Sequence, residues 1–126
     1  MARLPARAGS GNFSILVEGR AAHAGRNPQD GRNAVLAAAD LALRLEQAIG
    51  PGLSVNPAKI DGGGPNNVVP DRAVLRVNFR PASPEEEARA RTLLDRAIAE
   101  VAARRDVRIH AHGGFARPPK PLDPAA

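Results

Sequence analysis

Phe13, Ile15 and Val17 alternate with Ser14, Leu16 and Glu18, a period of two that predicts a strand. Downstream the period lengthens. Val35, Ala38, Leu41, Leu45 and Ala48 recur at helical spacing, with Asp30 as the expected N-cap and Gly50-Pro51-Gly52 as the stop. Leu53-Ser-Val-Asn56 returns to strand character, but Pro57 has no amide to donate, so this segment belongs at a sheet edge or a bulge. Gly62-Gly63-Gly64-Pro65 predicts a mobile turn. Ala73, Leu75, Val77 and Phe79 then alternate with Val74, Arg76, Asn78 and Arg80 in the clearest strand of the chain. Its first set should face a core and its second solvent or a partner.

Ser83-Pro84-Glu85-Glu86 combines a capping serine, a proline suited to the first turn and a glutamate placed to close a capping box. Ala90, Leu94, Ala97 and Val101 form the apolar stripe of the helix that follows, and Val107, Ile109 and Ala111 open a last strand against Arg108, His110 and His112. From Gly113 on, prolines at 118, 119, 121 and 124 argue against regular structure. The order strand, helix, strand, strand, helix, strand predicts an α+β fold of the ferredoxin-like βαββαβ kind. Both helices cover one face of a four-stranded antiparallel sheet whose second and fourth strands are edges. Such edges must be blunted or paired, and a second copy of the chain is a natural occupant.

The 126 residues suffice for one domain of ordinary size. Only three are aromatic (Phe13, Phe79 and Phe115), so Leu, Val, Ile and Ala must fill the core. Cysteine is absent, which removes disulfides, thiolate nucleophiles and cysteine-based zinc sites. No apolar run approaches the roughly 20 residues of a membrane span, and the start Met1-Ala-Arg-Leu-Pro-Ala-Arg is too short and polar for a secretory signal. A cytoplasmic location without membrane attachment is the expectation. The net charge of +5 comes from arginines spread along the chain, and no Tyr or Trp is available for base stacking, so nucleic acid is not an expected partner.

Chemistry is scarce. His110 and His112 stand two residues apart and would point the same way on a strand, but a zinc site needs a further protein ligand and none is near in sequence; they read as surface histidines. The glycine runs at 9–11 and 62–64 precede strands, not a phosphate-binding helix, and no serine sits in a nucleophile elbow. Glu85, Glu86 and Glu87 suit the positive end of a helix dipole. His23, in the loop Gly19-Arg-Ala-Ala-His-Ala-Gly25, is the one side chain set between a strand and a helix that can exchange a proton near neutral pH. On spacing alone it is equally a solvent-facing loop histidine, Asn67 a turn cap and Arg80 a surface ion-pair residue.

The motifs taken together carry more. Gly19-Arg-Ala-Ala-His-Ala-Gly25, Gly31-Arg-Asn-Ala-Val35, Gly62-Gly63 followed by Asn67-Val-Val-Pro-Asp71, and Val77-Asn-Phe-Arg80 occur in order with fitting gaps. The set resembles the lid, or dimerisation, domain of the zinc metallopeptidase family that includes acetylornithine deacetylase, succinyl-diaminopimelate desuccinylase, aminoacylase and glutamate carboxypeptidase. The resemblance covers roughly residues 8 to 119. It implies a lid and dimerisation domain over 12–112, a flexible lead-in at 1–11, and a Pro-rich tail or linker at 113–126 leading back to a catalytic domain absent from this chain. It also implies two zinc ions held by that catalytic domain and no metal or cofactor site here, so this chain should be inactive alone. The implied partners are a second copy, through an edge strand and a helix, the catalytic domain, and a small N-acyl amino acid or peptide. By the same resemblance His23 is the catalytic residue, reaching into the partner's active site to bond the developing oxyanion. Asn67 and Arg80 are then substrate-binding, with Arg80 suited to a carboxylate. A free-standing, non-catalytic dimerising or ligand-binding module is the alternative.

Overall fold

Two helices lie on one face of a four-stranded antiparallel sheet, as the order of periods predicts. The computed structural model describes residues 9–116; residues 1–8 of the expected lead-in and 117–126 of the expected tail lie outside the described residues. The elements are β1 (Gly11–Glu18), α1 (Ala34–Glu46), β2 (Leu53–Gly62), β3 (Arg72–Pro81), α2 (Pro84–Arg105) and β4 (Arg108–Phe115). The strand order is β2-β3-β1-β4, with every neighbouring pair antiparallel. β2 and β4 are therefore the edges.

Alternation and helical spacing select the same core. Phe13, Ile15 and Val17 of β1 and Ala73, Leu75, Val77 and Phe79 of β3 turn toward the helices, and Ala37, Ala38, Leu41 and Leu45 of α1 meet Ala90, Leu94, Ala97 and Val101 of α2 above them. Alanines on the facing stripes let the helices sit close to the sheet. Phe13, Phe79 and Phe115 converge at one end, with ring centroids 5.5–5.9 Å apart, and the Arg91 guanidinium covers Phe13 and Phe115 at 5.3 and 5.7 Å. Edge-to-face rings and a cation over their faces add to the area buried.

Pro57 sits on the edge strand, as its missing amide requires. There the register slips between Pro57 and Lys59, a bulge that leaves Ala58 unpaired and bends the strand. The core alternation of β2 ends at the same point, and Lys59–Gly62 run on as an exposed ribbon paired with β3.

Four local expectations need correction. The cap of α1 is Asn33, whose side chain accepts from the Leu36 amide at 2.9 Å; Asp30 instead ends a 3₁₀ turn begun at Pro28. Pro28 explains the error, since it opens a short helix of its own before Gly31 resets the chain. At α2 Ser83 does cap, accepting from Glu86 N at 3.1 Å, but the Glu86 carboxylate accepts from Arg89 Nε at 2.7 Å and does not close the box. The glycine turn begins one residue late, because Gly62 still pairs with Ala73. Finally, β4 does not stop before Gly113: it continues to Phe115, paired through Gly113 and Gly114 with Phe13 and Asn12. Gly113 has φ +122, and a Cβ there would run into the Asn12 carbonyl, so glycine is what allows the strand to continue.

Asp40 joins the two helices on their outer side. Its carboxylate accepts from Arg44 Nε at 2.8 Å and Arg105 Nε at 2.9 Å, with Arg104 at 3.7 Å. Burial pushes its carboxyl upward, but the hydrogen bonds and charges of Arg44 and Arg105 outweigh that and hold it below the ordinary value. No helix among the described residues is long and apolar enough to cross a membrane.

Candidate functional site

Beyond Glu18 the chain leaves the sheet but keeps a backbone partner. Gly19 N donates to Asp71 O at 2.8 Å, Val69 N to Ala22 O at 2.8 Å, and Ala24 N to Asn67 O at 2.9 Å, while Arg20 and Arg32 exchange both bonds. Residues 19–24 thus run antiparallel to 67–71 past the end of the sheet, with His23 opposite Val68. Gly19 makes this possible, because a Cβ there would strike the Arg32 carbonyl. His23 and Asn67 are thereby brought together on one tip, and both residues are exposed.

The imidazole is anchored by its own loop. Asn27 N donates to His23 O at 3.1 Å, closing one turn that does not continue as a helix. His23 N donates to Asn27 Oδ1 at 3.1 Å, and the amides of Gly25 and Arg26 donate to His23 Nδ1 at 3.1 and 3.0 Å. Asn27 is tied in turn through its Nδ2 to Asp30 Oδ2 at 3.1 Å. Nδ1 is therefore occupied, and no hydrogen bond reaches Nε2 among the described residues. Gly25 lies beside the Nδ1 edge of the ring: a Cβ there would stand 3.4 Å from Cε1 and 3.6 Å from Nδ1, ordinary contact distances. Sequence reasoning missed Asn27 and the two amides. The signal was present in the spacing, since a side-chain acceptor followed two and three residues later by free amides is the pattern of a cap.

Arg80 is not part of this tip. It lies on the sheet face away from the helices, exposed and paired across strands with Ser54. Glu18, the last residue of β1 before the loop, pairs with Arg72. Arg80 is eight residues further along β3, so roughly 25 Å separates the two ends of the sheet. The described chain both arrives and departs at the Arg80 end: Gly9 N donates to Pro81 O at 3.0 Å and Ala116 N to Ser10 O at 2.6 Å.

His110 and His112 are both exposed on β4. His110 Nε2 stands 3.0 Å from Glu18 Oε1. Among the described residues no group of three or more His, Asp or Glu side chains is gathered to hold a metal ion. A cleft of about 390 Å³ lies between Glu18, Arg20, Arg32, Asp106 and Arg108 and includes none of His23, Asn67 and Arg80. The arrangement can present an imidazole donor and an amide at one tip and a guanidinium at the other end.

Comparison with known proteins places the chain among similar domains. The family model of the peptidase dimerisation domain matches residues 6–106. The indole-3-acetyl-aspartic acid hydrolase of Enterobacter agglomerans is 50% identical over 72 residues, covering 54% of this chain and 16% of that protein. One of the p-aminobenzoyl-glutamate hydrolase polypeptides of Escherichia coli (strain K12) is 46% identical over 85 residues, covering 60% of this chain and 19% of that protein. Among solved structures, an aminobenzoyl-glutamate utilization protein from Klebsiella pneumoniae superposes with a TM-score of 0.83 at 36% identity, over 94% of this chain and 31% of that one. The chain thus spans less than a fifth of the curated relatives it matches.

Proposed function

Since the chain belongs to the peptidase dimerisation domain family, we propose that it is the lid and dimerisation domain of a zinc-dependent amidohydrolase, and that its two functional ends serve two different active sites. The described residues offer no ligand set for zinc, so the metal would be held by the catalytic half of the parent enzyme. Both hydrolases named above act, by their names, on conjugates of an acidic amino acid. An N-acyl aspartate or glutamate is accordingly the substrate class we assign to the parent, and the cytoplasm its location.

The observation that carries this reading is the separation of His23 and Asn67 from Arg80. A substrate the size of an acylated amino acid cannot bridge roughly 25 Å. Arg80 lies where the chain arrives and departs, hence beside the catalytic half to which the lid would be joined. There its planar fork would take a substrate carboxylate. His23 and Asn67 project from the far tip and would enter the cleft of a second protomer, where His23 Nε2 would donate to the oxygen that becomes negative as the amide carbonyl is attacked.

The second protomer is best received along β2. That edge is open, and exposed Leu36 and Leu43 of α1, with Ile60 of β2 itself, extend it as an apolar surface. The opposite edge, β4, carries Arg108, His110 and His112. Two copies pairing along β2 would form one continuous sheet with the helices on one side.

Complementation in the full-length parent tests this. A His23→Ala protomer with an intact metal site is mixed with a protomer whose metal site is destroyed but whose His23 is intact. Each homodimer should lose on the order of 10²–10³ or more in kcat, the usual cost of a lost oxyanion donor, and the mixture should recover activity. A mixture as inactive as its parts would overturn the reading, because His23 would then serve only its own protomer.

A further inference from the structure

We infer that His23 caps its own loop, and that this second role fixes which nitrogen of the ring can act. The inference rests on the proposed oxyanion contact for its consequence, but not for its evidence. Two backbone N–H groups, from Gly25 and Arg26, converge on Nδ1 at 3.1 and 3.0 Å. Backbone amides can only donate, so Nδ1 must present its lone pair to both. A neutral imidazole has one bare and one protonated nitrogen, and the proton is therefore on Nε2. The exposed edge of His23 is a hydrogen-bond donor and cannot accept at that nitrogen.

The geometry is that of a helix N-cap compressed into one turn. A cap residue's side chain accepts from the amides two and three residues on, which is the spacing from His23 to Gly25 and Arg26. The turn is closed by Asn27 N to His23 O and braced by His23 N to Asn27 Oδ1. Serine, threonine, aspartate and asparagine usually do this work; a histidine does it here with one nitrogen and keeps the other for a ligand. Gly25, Arg26 and Asn27 are thus positioning residues acting through His23, and the side chain of Arg26 has no part in the lock.

This makes the two nitrogens separable by substitution. In His23→Asn the side-chain oxygen can stand where Nδ1 stood and accept the same two amides, but nothing replaces the Nε2 donor. In His23→Ala both roles go. Long-range ¹H–¹⁵N correlation on the full 126-residue chain should show a protonated Nε2 and a bare Nδ1 for His23. Amide exchange at Gly25 and Arg26 should quicken at least about tenfold in His23→Ala and stay near the wild-type rate in His23→Asn. A proton on Nδ1, or amides equally protected in His23→Ala, would overturn the inference. In the parent enzyme, both variants should lose kcat alike. Should His23→Asn retain full activity while its amides stay protected, the lock would stand and the oxyanion role would fall, so the two failures are told apart.

Discussion

The two ends of the sheet are built on different principles. At the Arg80 end three phenylalanine rings meet beneath Arg91, and the arriving and departing strands are tied together beside them. At the His23 end none of residues 19–24 or 67–71 is buried; order comes from backbone hydrogen bonds between these two segments and from a capped turn. Apolar packing holds the end at which the described chain arrives and departs. Hydrogen bonds hold the tip, where the side chains of His23 and Asn67 stay exposed. Precision at the tip is thus obtained by satisfying the backbone locally, and among the described residues neither Nε2 of His23 nor the Asn67 side chain makes a hydrogen bond.

Removing one anchor from each end puts this division under the greatest strain. Phe79 is fully buried and touches both other rings, so Phe79→Ala should cost about 3–5 kcal/mol. His23→Ala deletes an exposed side chain and should cost no more than about 1 kcal/mol, the usual worth of a cap. Urea unfolding of both variants measures the difference. Equal losses would mean that the tip and the packed end form one cooperative structure, and the division would fail.

How much of this was open to reading in the sequence depends on which forces act. Alternation at Phe13–Val17 and Ala73–Phe79 and helical spacing at Ala90–Val101 identified the core, because burial selects side chains residue by residue. Pro57 marked the edge through a missing donor. The misread ends, Asp30 for Asn33 and Gly113 for Phe115, are places where backbone partners decide the outcome: Gly113 continues β4 only because Asn12 and Phe13 lie alongside. The tip was half legible. The resemblance singled out His23, Asn67 and Arg80 as candidates, but the union of His23 with Asn67 and the removal of Arg80 to the far end are consequences of register, which no local pattern carries. Asn27 escaped because its contribution is a bond to the His23 backbone, not chemistry of its own.

A parallel contrast lies along the two sheet edges. If β2 and the α1 surface receive the second copy, Leu43→Glu should shift the chain toward monomer, weakening association by roughly 10–100-fold through the loss of a central apolar contact. A charge placed at Ala111 on the β4 side should leave association unchanged. Sedimentation over a concentration series reads both. Dissociation by the Ala111 variant instead would move the interface to the other edge.

The smallest effect separates the helix layer from both ends. Asp40 is 13% exposed at its side chain and lies outside the tip, and its ion pairs with Arg44 and Arg105 join α1 to α2. Asp40→Asn should cost about 1 kcal/mol at neutral pH, since hydrogen bonds to charged groups are lost while the partly exposed arginines can rehydrate. The sign of the pH dependence follows from the depressed carboxyl of the folded state. The unfolded chain takes up the proton first, near the ordinary value of 3.8, so the contribution is complete above that value and disappears as pH falls through the lower folded value. Unfolding curves of the wild type and Asp40→Asn should therefore stay a constant distance apart from pH 7 down to roughly pH 4 and converge below it. A gap that opens on acidification would mean that burial outweighs the arginines at Asp40, and that the helix layer is held by apolar packing alone.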